Sequence, residues 1–300
     1  MDNQAKKGIL TLGIGQKFNR QAKYLAYSCI LHSPTLPRAI ITDNCDYFNG
    51  LFDVMIPYKA DMGDPFKVKL QLQHYSPFYE TLFLDSDTLV YTDLHFMWDY
   101  FDGQSIVYAG SCRKDGEWYF KEIDKVLQYY NIPWIGQLNS GIFMFKKDDI
   151  GLNVLNYAVE LHGNHGDINI PYFRGNMFAD EPFLAVALGK YNQLPREDFG
   201  RLGRSLINSK TVKLDIIKGI SKFIKDGKVT FPAIVHFCGD KKNYYIKEKL
   251  KLLFYYKGIP LGMIMGCFIN IIRGFLLCLN FVMLCKRYAV RHLLRRRHSI

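Results

Sequence analysis

The chain of 300 residues is short of the features that usually place a protein at once. Its seven cysteines (29, 45, 112, 238, 267, 278 and 285) are odd in number and include no C-x-x-C pair. That excludes paired zinc-ligand spacing and argues against a complete disulfide framework. No secretory leader is visible at the start, so the thiols read as free groups of a reducing compartment. A glycine-rich phosphate loop is missing too: Gly13-Ile14-Gly15 is a lone G-x-G, equally suited to a tight turn. Charge of one sign is absent from most of the chain. Although the formal charge is +11, Lys241 to Ile300 holds 13 Lys and Arg against Glu248 alone, which leaves 26 basic and 27 acidic residues in the first 240. A body so balanced offers no general nucleic-acid surface, and makes the basic tail the partner of something anionic.

What is present is apolar and aromatic. A content of 49% hydrophobic and 15% aromatic residues excludes a disordered chain, and the length allows a large core. The organising stretch is Thr81-Leu82-Phe83-Leu84-Asp85-Ser86-Asp87-Thr88-Leu89-Val90. Leu82 to Leu84 read as a strand of a parallel sheet, buried on both faces. Ligands of such sheets bind beyond the carboxyl ends of the strands, where Asp85 and Asp87 fall. At positions i and i+2 of an extended segment their carboxylates project to one side. Two anions so placed call for a divalent cation; the alternative is two solvated aspartates in a turn.

The rest of the chain keeps a strand–helix rhythm. Strands are expected at Gly8 to Leu12, Arg38 to Asp43, Asp53 to Pro57, Ser105 to Ala109, Leu138 to Phe145 and Phe231 to Phe237. Helices are expected after Asn19, from Phe66 to Tyr75, from Leu152 to Leu161 and from Phe183 to Leu188. Residues 112–137, with Trp118, Tyr119, Tyr129, Tyr130 and Trp134, read as an irregular aromatic loop suited to stacking on a sugar. Asp180-Glu181-Pro182 reads as the capped start of a helix. Residues 196–228 carry little motif content. The last strand delivers His236, followed by Gly239 and Lys242, the chemistry of a turn that holds phosphate.

Four segments taken in order carry a resemblance: Leu-Asp-Ser-Asp at 84–87, Leu-Asn-Ser-Gly at 138–141, Ala-Asp-Glu-Pro at 179–182 and His-x-x-Gly-x-x-Lys at 236–242. Together they resemble the GT-A nucleotide-sugar transferases, in particular the family-8 retaining glycosyltransferases such as glycogenin and the lipopolysaccharide glucosyl- and galactosyltransferases. The likeness spans roughly residues 8 to 245. It implies an α/β fold, a GT-A (Rossmann-like) mixed and mainly parallel sheet flanked by helices. It implies transfer of a hexose from a UDP-sugar to an acceptor glycan or glycolipid, with retention of configuration. Asp85, Asp87 and His236 would hold Mn2+, or Mg2+ in its place. Lys242 would bind the donor diphosphate and Gly239 would let the backbone approach it. Lys67 would match a basic donor-contacting position, with Ser86, Asn139, Ser140 and Asp180 on the donor and Thr11, Leu12 and Gly13 in the uridine pocket. Asp180 and Glu181 are the catalytic candidates. Two departures stand out: Asn243-Tyr244 follows the lysine where the family has Pro-Trp, and Glu181 stands where it often has Gln. An imidazole beside two carboxylates favours manganese over magnesium.

The end of the chain differs in character. Ile259 to Cys285 is 27 residues with only Asn270, Arg273 and Asn280 strongly polar, flanked by six basic residues on each side. Equal basic flanks give no orientation bias, so the expectation is a domain at 1–258 and an apolar helical segment with a basic tail at 259–300. That segment would lie on an anionic membrane surface, making the protein cytoplasmic and peripherally membrane-associated. Two other classes fit the sequence less well. A sugar-nucleotide pyrophosphorylase would need an arginine-containing Gly-rich loop after Leu12, which is missing, and a non-catalytic nucleotide-sugar-binding module would not need the metal triad.

Overall fold

The computed structural model describes residues 6–164, 170–173, 176–196, 202–239 and 241–259. The first part of the chain is β1 (Lys7–Gly13), α1 (Gln16–His32), β2 (Arg38–Thr42), β3 (Val54–Pro57), α2 (Pro65–Leu70), α3 (Leu72–Tyr75), β4 (Glu80–Leu84) and β5 (Thr88–Val90). Then come β6 (Ile106–Arg113), α4 (Ile123–Tyr130), β7 (Ile135–Lys146), α5 (Asp149–Gly163) and α6 (Glu181–Lys190). The last part is β8 (Gly203–Ser205), β9 (Lys210–Asp215), β10 (Ile220–Lys225), β11 (Lys228–Thr230), β12 (Ile234–His236) and α7 (Lys242–Tyr256).

The central sheet has the order β3-β2-β1-β4-β7-β6. Its first four strands run parallel, while β7 is antiparallel to both β4 and β6. The apolar run of β4 follows from its central place. Phe83 packs with Leu10, Phe143 and residues of α5 and α6 on one face; Leu82 and Leu84 pack with Ile9, Met144 and Leu25 of α1 on the other. A strand covered on both sides has no solvent face, so alternation vanishes. The expected mixed, mainly parallel sheet flanked by helices is therefore what the chain builds.

Three segments depart from the sequence reading. Residues 112–137 are not one irregular loop: β6 runs to Arg113, α4 buries Ile123 and Val126, and β7 begins at Ile135. The short helix shows only a narrow apolar stripe among charged and aromatic neighbours, and Asn131 ends it in the left-handed region at φ 49°. The helix expected over Phe66 to Tyr75 breaks at Gln71, whose N–H bonds to Val68 O, so that Val68, Leu70 and Leu72 all reach the core. Residues 196–228 contain β8 to β10, and β10 returns as β11 through Asp226-Gly227, both at positive φ (52° and 76°). Asp-Gly between strands is a strong hairpin signal that lay legible in the sequence.

The second sheet has the order β5-β12-β8. After the turn at Asp85-Ser86-Asp87 the chain leaves the central sheet, and β5 pairs antiparallel with β12, placing His236 opposite Thr88. The four cysteines among the described residues, Cys29, Cys45, Cys112 and Cys238, are free thiols. Among the described residues no helix is long and apolar enough to cross a membrane. The apolar segment 259–285 and the basic tail after it lie, apart from Ile259, outside the described residues. By contacts the chain divides into two compact units, Met1–Leu252 and Leu253–Ile300; everything that follows concerns the first.

Candidate active site

The carboxyl ends of β1, β4 and β12 and the middle of β7 converge on a cavity of about 620 Å3. Its polar lining includes Lys69, Asp85, Ser86, Asp87, Asn139, Ser140, Asp180, Glu181 and His236. Backbone pairing fixes the acidic end. Asp85 N–H donates to Gly141 O at 2.8 Å, Thr88 N–H to Asp85 O at 3.0 Å, and Phe237 N–H to Asp87 O at 3.0 Å. These bonds lock the turn between two sheets, so that residues about 150 apart in sequence face each other.

His236 Nε2 lies 3.0 Å from Asp87 Oδ1 and 3.7 Å from Asp85 Oδ2. One ligand atom from each of the three residues falls within 4.8 Å of the others. On the far side of the ring, His236 Nδ1 is 2.8 Å from Asn139 Oδ1, which also accepts the Gly141 N–H at 3.2 Å. The Gly141 N–H marks this atom as the amide oxygen, which carries no proton and can only accept, so Nδ1 carries a proton. That leaves Nε2 as the ligating nitrogen, turned towards the two carboxylates. Gly141 completes the cradle: a Cβ there would stand 2.3 Å from His236 Cε1 and 2.8 Å from Asp85 Oδ2. The donor set therefore fits a divalent metal, two hard oxygens with one imidazole nitrogen and room kept clear beside them.

Beside this group lies a buried ion cluster. The Lys69 ammonium is 3.0 Å from Asp85 Oδ1, 3.3 Å from Asp180 Oδ2 and 3.0 Å from Ser140 Oγ, with its side chain only 7% exposed. Burial works against its charge, yet Asp180 and Asp85 outweigh that and raise its pKa above the ordinary lysine value. Asp180 sits at the N-cap of α6 but makes no capping hydrogen bond. Among the described residues its Oδ2 has no hydrogen bond either, and the cation beside it is the Lys69 ammonium. Glu181 accepts the Ser140 N–H at 3.2 Å and the Tyr119 hydroxyl at 3.0 Å. Burial first, then Asp180, raises the Glu181 pKa above the usual carboxylate value. The helix thus starts where the sequence indicates, but the Asp180 and Glu181 carboxylates turn into the cavity instead of capping it.

Burial raises the pKa of Asp85 against the pull of Lys69 and His236, whereas Asp87, opposed by burial, is lowered by its hydrogen bond to His236. Burial opposes a charged His236, but Asp87 wins and the imidazole's pKa is raised well above 6.5. A site that polarises its groups this strongly in a cleft is a functional candidate on electrostatic grounds.

Of the residues named from the sequence, Leu12, Asp85, Ser86, Asp87, Asn139, Ser140, Asp180, Glu181, His236 and Gly239 line the cavity. Gly239 does so at φ 87°, a conformation that favours glycine. Thr11 is fully buried in β1 and its hydroxyl has no hydrogen-bond partner among the described residues, while Gly13 backs onto Asn19. Lys67 is not in the lining; its side chain runs past Gly63 instead. The lysine that enters is Lys69, two positions on. Lys67 and Lys69 flank Val68, and only the observed rotation of the broken helix decides between them. Lys242, the first residue of α7, is likewise outside the lining. Tyr119, noted earlier only as a stacking ring, is the hydrogen-bond partner of Glu181; with Phe66 and Phe173 it forms an edge-to-face aromatic wall.

No protein-family model matches the sequence, and no curated protein matches it. Solved structures do match. The galactosyltransferase LgtC, in complex with donor and acceptor sugar analogues, shares 13% identity and a TM-score of 0.54 over 81% of this chain and 95% of its own. The glycosyltransferase GlyE of Streptococcus pneumoniae TIGR4 shares 15% identity and a TM-score of 0.52 over 85% of this chain and 65% of its own. The bifunctional enzyme WbbM shares 10% identity and a TM-score of 0.52 over 83% of this chain and 50% of its own. Such likenesses establish the fold: the chain has the GT-A fold of these glycosyltransferases.

Proposed function

We propose that the protein is a metal-dependent glycosyltransferase that moves a hexose from a UDP-sugar to an acceptor glycan or glycolipid with retention of configuration. The observation that carries this reading is the convergence of Asp85, Asp87 and His236 on one point, with Asn139 holding the imidazole as a ligand. A divalent metal bound there, manganese by preference for its mixed oxygen–nitrogen set, supplies positive charge to a donor diphosphate. The chain's own groups do the rest. Gly239 lets the backbone close on the diphosphate at the cavity edge. Lys69 keeps Asp85 and Asp180 in place as a preorganised charge pattern. In the transfer, the acceptor hydroxyl oxygen bonds to the anomeric carbon. The bond from that carbon to the diphosphate oxygen breaks with its electron pair, and the hydroxyl proton leaves to the departing diphosphate.

Glu181 sits beside Asp180 in the cavity with both oxygens hydrogen-bonded. That arrangement suits a fixed neighbour of the anomeric centre better than an attacking nucleophile. The basic, apolar tail is proposed to hold the enzyme against an anionic membrane face on the cytoplasmic side, which places it near a glycolipid acceptor. The test is donor hydrolysis, which needs no acceptor: UDP-sugars are screened for release of UDP with manganese, then with EDTA. Turnover of one UDP-sugar that chelation abolishes and manganese restores is expected. Full turnover in excess EDTA would remove the metal from the account.

A further inference from the structure

The turn that joins β6 to α4 is pinned at both ends. Trp118 N–H donates to Phe120 O at 3.0 Å and Ile123 N–H to Gly116 O at 3.1 Å, while Phe120 and Ile123 are buried in the core. Between these anchors stands Tyr119, half-buried, its ring edge to face against Trp118 at 4.8 Å and Phe173 at 6.3 Å. A ring enclosed in this way delivers its hydroxyl to one place. That place is Glu181 Oε2, at 3.0 Å inside the donor cavity.

Each oxygen of Glu181 thus has a donor of its own: the Ser140 N–H on Oε1 at 3.2 Å and the Tyr119 hydroxyl on Oε2. The first donor belongs to the main chain of β7, whereas the second is a side chain brought by a different element. The last torsion of a glutamate is broad, so one donor alone leaves the carboxylate free to rotate. Two donors, one on each oxygen, fix its plane. Among the described residues the charged neighbours of Glu181, Asp180 and Lys69, act on it through space and make no hydrogen bond to it.

We propose, on the donor-site reading above, that Tyr119 is the positioning residue of Glu181: its hydroxyl holds the carboxylate in the plane from which it faces the anomeric centre. Positive charge that builds there as the diphosphate leaves then meets a fixed anion, with no reorganisation at that moment. Tyr119 acts through Glu181, so loss of its hydroxyl lowers turnover and leaves donor binding alone.

Tyr119→Phe in the full chain tests this, because it keeps the ring and removes only the hydroxyl. UDP-sugar hydrolysis and UDP affinity are measured with manganese. The Glu181 carboxylate is followed by carbon-13 NMR of glutamate-labelled protein with magnesium in its place, its resonance identified by its absence from Glu181→Gln. Turnover is expected to fall about tenfold, the scale of one charge-assisted bond, with UDP affinity within about twofold and an unchanged melting curve. Glu181 should titrate about one pH unit higher, since a donor to its charged form is gone. Beside Glu181→Gln the same change should cost no more than about threefold. Wild-type turnover in Tyr119→Phe would overturn the proposal, as would an unmoved Glu181 titration or an undiminished loss beside Glu181→Gln. A fall in UDP affinity that matches the fall in turnover would overturn it too, by making Tyr119 a donor-binding residue. Failure of the donor reading looks different: the wild type then binds no UDP and hydrolyses no UDP-sugar, while the Glu181 titration still moves with Tyr119. In that case the contact stands and its use at an anomeric centre falls.

Discussion

Asn139 accepts the Nδ1 proton of His236 at 2.8 Å, and this contact decides which nitrogen faces Asp85 and Asp87. Removing it by Asn139→Leu frees the ring to turn and to change tautomer. Loss of such an outer partner lowers metal affinity by about 10- to 100-fold. Asn139→Asp, which keeps an oxygen acceptor, should lose far less. Manganese titration of the two variants checks the ordering, and equal affinities would show that the hydrogen bond is incidental.

Gly141 is required by space, not by backbone angle. A methyl group at 141 would meet His236 and Asp85 within 2.8 Å, so Gly141→Ala should cost about 1–3 kcal/mol of stability through overpacking and abolish metal-dependent turnover. Thermal melts and donor hydrolysis, run in parallel, give the two readouts. Wild-type turnover in this variant would mean that the triad closes differently.

Lys69 holds charges that have little else to neutralise them. Lys69→Met leaves Asp180 buried without its ion pair, and loss of one partner from such a pair costs about 3–5 kcal/mol. Lys69→Met combined with Asp180→Asn should recover a good part of that stability in denaturant unfolding, because the stranded charge is gone. If the double variant is no more stable than the single one, the cluster is held by other groups.

The raised pKa of His236 has a definite sign. A folded value above the unfolded one means that the proton stabilises the metal-free protein fully below pH about 6.5, and that this contribution is lost as pH rises through the raised value. Metal has to displace that same proton. The metal-free melting temperature should therefore fall across this window while manganese affinity climbs. Calorimetry in two buffers of different ionisation enthalpy should find about one proton released per ion bound. No release at neutral pH would mean that the imidazole is already neutral.

Glu181→Gln should preserve the local geometry, because the amide oxygen can keep the Ser140 N–H and the amide nitrogen can donate to Tyr119. Loss of one charge-assisted bond sets the scale at about tenfold in turnover. Complete loss, with a glycosyl adduct trapped on Glu181 of the wild type, would make the carboxylate the nucleophile.

The sheet and the acidic end of β4 were legible because they depend on local pattern: an apolar run with no polar face, then two aspartates where the strand stops. His236 was legible as a partner of Asp85 and Asp87 only through the family resemblance, since the β5–β12 pairing that joins them is a long-range contact that local pattern does not show. The lysine was misplaced for a related reason. Lys67 and Lys69 look alike in Phe-Lys-Val-Lys-Leu, and the break at Gln71, which sequence periodicity ran through, sets which one turns inward. Asp180 does stand at the N-cap and Glu181 in the first turn of α6, as their local pattern indicates. That the Asp180 carboxylate faces the Lys69 ammonium instead of capping was not legible, because that ion pair is a long-range contact. The Asp226-Gly227 hairpin, by contrast, depends on a local signal that the chain carries among charged neighbours.

The central claim is that Asp85, Asp87 and His236 bind a divalent ion that in turn binds a nucleoside diphosphate. UDP affinity measured by calorimetry with manganese and with EDTA, in wild type and in Asp87→Ala, tests it most directly. The account predicts saturable binding to the wild type with manganese, and a loss of about 100-fold or more both in EDTA and in the variant, several kcal/mol being the scale of such charge stabilisation. Equal UDP affinity in manganese and in EDTA would contradict it.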